Sequence, residues 1–228
     1  MDHRRIRLLL VWNLVIGALA LFALVLTVFF GEETAFSSRG WSNLKYFTVL
    51  SNLLEGGVSL VLAVRLGSML RTGRGAVGPA LVRWKLTAAA AVSVTFLVVA
   101  LFFGPWVGYG ALYRNANLWY HLVIPLLAAA EFLFLDRFGP LPFRATLWAF
   151  LPELIYGLAY LANLLLRGVG EGRQTNDFYG FVHWGLPVGL GIFAAILLTG
   201  WGSAVLLRWG NRAWANRTAR SEKERKTV

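Results

Sequence analysis

The chain contains no cysteine and only three histidines, His3, His121 and His183. Disulfides, thiolate metal sites and a cysteine nucleophile are therefore excluded. Three scattered imidazoles are a poor start for a metal centre, so no metal and no cofactor is expected. Charge is scarce too. Asp, Glu, Lys and Arg make up 14% of the 228 residues, against roughly 25% in soluble domains. What remains is apolar: 57% of the residues are hydrophobic and the mean hydropathy is +0.61. That much apolar surface excludes disorder and an ordinary soluble fold, and leaves a polytopic membrane protein, multi-pass in the cell membrane.

A helix needs roughly 20 apolar residues to cross a bilayer. Six segments meet this: about 8–30, 45–66, 84–103, 118–135, 146–166 and 181–207. They are continuous apolar runs without the alternation of barrel strands, so the expected fold is all-α with six transmembrane helices. Residues 1–207 form one domain and 208–228 a basic cytoplasmic tail. The first apolar run follows Arg4, Arg5 and Arg7 and is too long for a signal-peptide core, so it is read as a retained span. The last run is long enough to require tilt. Within it, Gly185 and Gly189 have the small-xxx-small spacing of a helix contact.

Lysine and arginine set the orientation. With the N-terminus inside, seventeen of the 22 basic residues fall on the cytoplasmic side: near the N-terminus, along Arg65–Lys85, at Arg137 and Arg144, and from Arg208 onward. Arg39, Lys45, Arg114, Arg167 and Arg173 fall outside. Both termini are thus expected to be cytoplasmic. The net charge of +11 is then inner-face arginine, and nucleic acid is not an expected partner. The tail also carries Trp209 and Trp214, which suits a helix touching anionic lipid.

Polar groups in hydrocarbon are costly and commonly functional. In the second span Thr48, Ser51, Asn52 and Glu55 recur at i, i+3, i+4 and i+7, one face of a helix. Thr48 lies near the outer boundary and Glu55 about 10 Å deeper. In the fourth span His121 enters at the same depth on the same side, and Pro125 frees a backbone carbonyl that a neighbour must satisfy. Glu153, Tyr156, Asn163, Asp177, Tyr179 and His183 add polar groups along the last two spans, with Glu131 and Glu153 toward the cytoplasmic half. Trp41, Trp106, Trp119 and Trp184 read as an interfacial belt.

A hydroxyl, an imidazole and amides at one depth are the parts of nucleophilic acyl transfer. The hydroxyl attacks, the histidine takes its proton and donors hold the oxyanion. Spacing alone does not bring these helices together. Interhelical hydrogen bonding accounts for the second-span face equally well.

The stretches Lys45-Tyr-Phe-Thr48, Phe47-Thr48-Val-Leu-Ser51-Asn52 and Asn117-Leu-Trp-Tyr-His121-Leu-Val-Ile-Pro125, with Glu131 later in the same span, resemble the androgen-induced protein family. They are nearest to its bacterial six-span relatives. Leu151–Gly180 resembles the family's fifth span and following aromatic loop. The resemblance implies a membrane threonine hydrolase that cleaves fatty acid esters, with Thr48 as nucleophile and His121 as its partner. Ser51, Asn52, Asn163 and His183 become substrate-binding or oxyanion candidates. The partner implied is a lipid or fatty acyl ester. The loop Asn176-Asp177-Phe178-Tyr179-Gly180-Phe181 departs from the family's Tyr-Pro-Phe form. Two other classes stay open: a proton-coupled transporter or channel using Glu55, Glu131 and Glu153, and a non-enzymatic assembly or lipid-binding protein. No oligomeric state is implied.

Overall fold

A computed structural model describes residues 3–31, 37–170 and 175–227. Among these the chain is all-helical, with six helices long and apolar enough to cross a membrane. The first is His3–Phe30, the second Phe47–Thr72, the third Pro79–Val107, the fourth Ala116–Leu135 and the fifth Phe143–Arg167. The sixth begins at Leu186 and continues to Thr227.

The third helix is the hub. Ala88, Ala89, Ala90 and Ala91 have no exposed surface, and such small side chains let neighbouring backbones approach closely where lipid gives no hydrophobic drive to helix association. Leu86, Ala89 and Val92 share a core with Ala128 and Phe132 of the fourth helix and Ala204 of the sixth. The first two helices meet through glycine. A methyl group on Gly56 would lie 2.5 Å from the Ala20 Cβ, and one on Gly17 would lie 2.5 Å from Leu60.

The termini end of the bundle is tied together by side chains donating to backbone carbonyls. Arg5 reaches Leu135 (3.2 Å from Nε), Arg208 reaches Leu141 (2.8 Å) and Asn211 reaches Phe132 (2.7 Å). The opposite end, which carries the 46–48 and 178–181 segments, is called the far end below.

Two sequence expectations change. Lys85, counted with the inner-side charge, lies inside the bundle: the third helix starts at Pro79, which carries Lys85 about 9 Å along the axis, and it has no exposed surface. The sixth helix starts at Leu186, so Gly185 precedes it with φ +89°. Gly189 fits against the carbonyl of Phe181, where a Cβ would come within 2.4 Å, and not against another helix. The same helix runs without a break through positions 208–227, the basic tail. Of the tryptophans read as a belt, Trp41, Trp106 and Trp184 are exposed, while Trp119 packs its ring edge-on against Phe22. Arg173 lies outside the described residues.

Candidate functional site

The polar face of the second helix turns into the bundle. Ser51, Asn52 and Glu55 are buried, and Thr48 is half-buried. Thr48 and His121 line one cavity of about 190 Å³ at the far end. Its remaining wall is mostly apolar, with Val94, Val98, Phe103, Phe193 and Ile196 among the lining side chains.

The fourth helix positions His121 by way of a widened turn. Residues Trp119–Val123 are π-helical, immediately before Pro125. Proline has no N–H, so the carbonyl five residues back, on Tyr120, loses its donor. Asn52 supplies one from its side-chain amide at 3.2 Å, and the Thr95 hydroxyl donates from the third helix at 3.4 Å. The carbonyl freed by Pro125 is thus satisfied by two other helices, at the residue adjoining His121. A π turn breaks the regular helical register and is frequent at functional sites.

Asn52 also donates to the Thr48 carbonyl at 2.8 Å. An amide group has two N–H donors, and both are engaged, so Asn52 is a strut between the Thr48 and His121 segments and not a free oxyanion donor. The Ser51 hydroxyl is turned back on the same Thr48 carbonyl at 3.1 Å. Asn163 is half-buried on the fifth helix and His183 is exposed, its ring edge against Trp184; neither lines the cavity.

Among the described residues, the Thr48 hydroxyl has no hydrogen-bond partner. The His121 Nδ1 is buried and also unpartnered. Thr48 and His121 share the cavity without bonding to each other.

Sequence reasoning named Tyr179 among the polar groups of the last two spans but gave it no place in the site. Its hydroxyl sits over the start of the second helix and accepts the Phe47 N–H at 2.9 Å. The first N–H groups of a helix lack partners within it, and this phenol takes one of them. Burial pushes Tyr179 up to about 12, so it remains a protonated phenol, with the Tyr156 side chain beside it. Asp177 holds the loop in place, accepting the Tyr160 hydroxyl (2.6 Å) and the backbone N–H groups of Phe181 (2.8 Å) and Val182 (3.0 Å). The Tyr156 hydroxyl donates to the Lys45 carbonyl at 2.6 Å. The aromatic residues of the 176–181 loop were the signal in the sequence for this cluster of rings.

Lys85 was missed for a different reason, its place near a span boundary. Its ammonium lies between Glu55 (2.5 Å) and Glu131 (2.8 Å), all three with no side-chain exposure. Ser59 accepts from Lys85 at 2.6 Å, and Asn13 donates to Glu131 at 3.0 Å. Each charge would cost about 3 kcal/mol at the membrane centre. Pairing within the bundle is how the sequence tolerates them. The third carboxylate, Glu153, stands apart: it is 2% exposed, lines the cavity and has no hydrogen-bond partner on either oxygen among the described residues.

Compared with known proteins, the chain matches no family model, no curated protein and no solved structure.

Proposed function

We propose that this chain is an integral membrane hydrolase of acyl esters, with Thr48 as nucleophile and His121 as general base. One observation carries the reading. An unpartnered hydroxyl and an unpartnered imidazole nitrogen, from helices remote in sequence, line the same apolar cavity. A threonine hydroxyl is a weak nucleophile without a base, and an adjoining imidazole supplies one. Catalytic hydrogen bonds often close only once substrate is bound. The resemblance of the Phe47–Asn52 and Asn117–Pro125 stretches to membrane threonine hydrolases supports the same pair.

In this reading the acyl chain enters from lipid and fills the apolar part of the cavity, with the ester beside Thr48. The Thr48 oxygen attacks the carbonyl carbon while His121 Nδ1 takes the hydroxyl proton. The oxyanion is met by the Tyr179 phenol and by the positive start of the second helix. Collapse expels the alcohol, which receives the proton from His121. Water, deprotonated by the same imidazole, attacks the acyl-threonine; collapse releases the fatty acid and the imidazolium returns its proton to the Thr48 oxygen. Asn52 positions both segments. Glu55 and Glu131, on which a proton relay would rest, are both tied to Lys85 and read as structural.

The test uses protein in lipid nanodiscs with a nitrophenyl acyl ester and a fluorophosphonate probe. Thr48→Ala and His121→Ala should each abolish turnover and labelling while the protein stays folded. The double variant should be little worse than either single, because parts of one unit are not additive. Thr48→Ser should retain activity. Full turnover in Thr48→Ala would remove this assignment, and loss in Ser51→Ala alone would move the nucleophile one turn along the helix.

A further inference from the structure

Glu153 brings a carboxyl group to the cavity, and the proposed chemistry does not use it. It lies on the fifth helix with Tyr156 and Gly157, which are three and four residues on and share its face, and all three line the cavity. Tyr156 marks the mouth, through its bond to the Lys45 carbonyl. Glu153 is one turn, about 4.5 Å of rise, further from that mouth. Around it the lining is apolar: Val94 from the third helix, and Phe193 and Ile196 from the sixth. The cavity therefore has its hydroxyl, imidazole and phenol at one end and a lone carboxyl group beyond them.

The niche for that carboxyl is built by the sixth helix. A methyl group on Gly200 would come within 2.7 Å of Glu153 Oε1, so an added side chain there would have to displace the carboxyl group. Gly157 performs the matching role toward Phe193, whose ring would stand 2.0 Å from an added Cβ. The two helices close on each other at these glycines and present the carboxyl group to the cavity with neither oxygen satisfied. Glu55 and Glu131, at comparable burial, share Lys85. A buried polar group without a partner is costly, and inside a binding cavity the missing partner is the ligand's.

We propose that Glu153 is a specificity-determining residue of this cavity, receiving a hydrogen-bond donor, hydroxyl or amine, carried on the buried end of the acyl chain. The ligand class is then a donor-tipped amphiphile and not a plain fatty acyl ester. This rests on the hydrolase reading for where the ester sits. The carboxyl group's own demand for a donor does not.

The experiment compares nitrophenyl esters in nanodiscs, from hexanoate to dodecanoate, each plain, ω-hydroxylated or ω-aminated. At one chain length the wild type should favour a tipped ester over the plain one by about tenfold in kcat/KM, the scale of one hydrogen bond. Glu153→Leu should reverse the preference toward the plain chain. Glu153→Gln should keep a preference for hydroxyl and lose one for amine, which separates the two donors. Glu153→Leu should also melt no lower than wild type, since an apolar side chain removes an unsatisfied group. A wild type that prefers the plain ester, a ratio unchanged in Glu153→Leu, or a lower melting temperature in that variant would each overturn the proposal. If the wild type cleaves no ester at all, the hydrolase reading has failed and this one is still read by binding. Dodecyl methyl ether and its ω-hydroxy form then compete against a pyrene-labelled fatty acid. The hydroxy form should displace it better from wild type and no better from Glu153→Leu; equal displacement from wild type would overturn the proposal.

Discussion

The side-chain amide of Asn52 donates to the backbone carbonyl of Tyr120 at 3.2 Å, across 68 positions of sequence. It closes the gap that Pro125 leaves in the fourth helix, and its second hydrogen holds the Thr48 carbonyl. Asn52→Ala therefore leaves the buried Tyr120 carbonyl with only the longer Thr95 bond and unties the two segments. A stability loss of about 1–3 kcal/mol is expected, read as a lower thermal midpoint, together with lost ester turnover. Asn52→Ala that melts like wild type would show that the Thr95 hydroxyl suffices for the Tyr120 carbonyl.

Lys85 holds two carboxylates that would otherwise face each other. Lys85→Met should cost about 3–5 kcal/mol, because it leaves uncompensated buried charge. Adding Glu55→Gln and Glu131→Gln to it should recover most of the loss, since the charges then vanish together. Denaturation in nanodiscs separates the cases. A single variant as stable as the triple would mean that the carboxyl groups share a proton comfortably without the lysine.

Tyr179→Phe keeps the ring, which stacks on Phe181 with centroids 5.2 Å apart, and removes only the hydroxyl. On the proposed mechanism kcat should fall by about 10²–10³-fold, the usual effect of losing one oxyanion donor, with KM little changed. Steady-state kinetics on a nitrophenyl ester give both constants. A rise in KM at constant kcat would make the phenol a wall of the binding cavity.

Orientation is open to direct labelling. Single cysteines at Ser38 and Gly110, at the far end, should react with impermeant maleimide in intact cells, and one at Ser221 should not. Burial of Lys85 takes one residue from the inner-side count and leaves its sign unchanged. Labelling at Ser221 alone would place the cavity in the inner leaflet.

The sequence by itself determined the solvent and the architecture. Scarce charge and six long apolar runs leave a helical bundle as the only way to satisfy every backbone group in lipid. The period of Thr48, Ser51, Asn52 and Glu55 determined that these four share a face, and the cost of exposing a carboxylate to lipid determined that Glu55 turns inward, as it does. Tertiary structure decided what that face meets. Periodicity is a property of one helix and carries nothing about its neighbour, so the pairing of Glu55 with Lys85 and Glu131 was not legible. Lys85 was counted as inner-side charge at the edge of the span because hydropathy locates the apolar run, while helix-start chemistry at Gly78-Pro79 sets where the helix begins. The same limit hid the roles of Asn52 and Tyr179. Whether an amide is a free donor or a strut depends on which carbonyl lies opposite, and a loop phenol meets a helix start only when two distant segments close on each other.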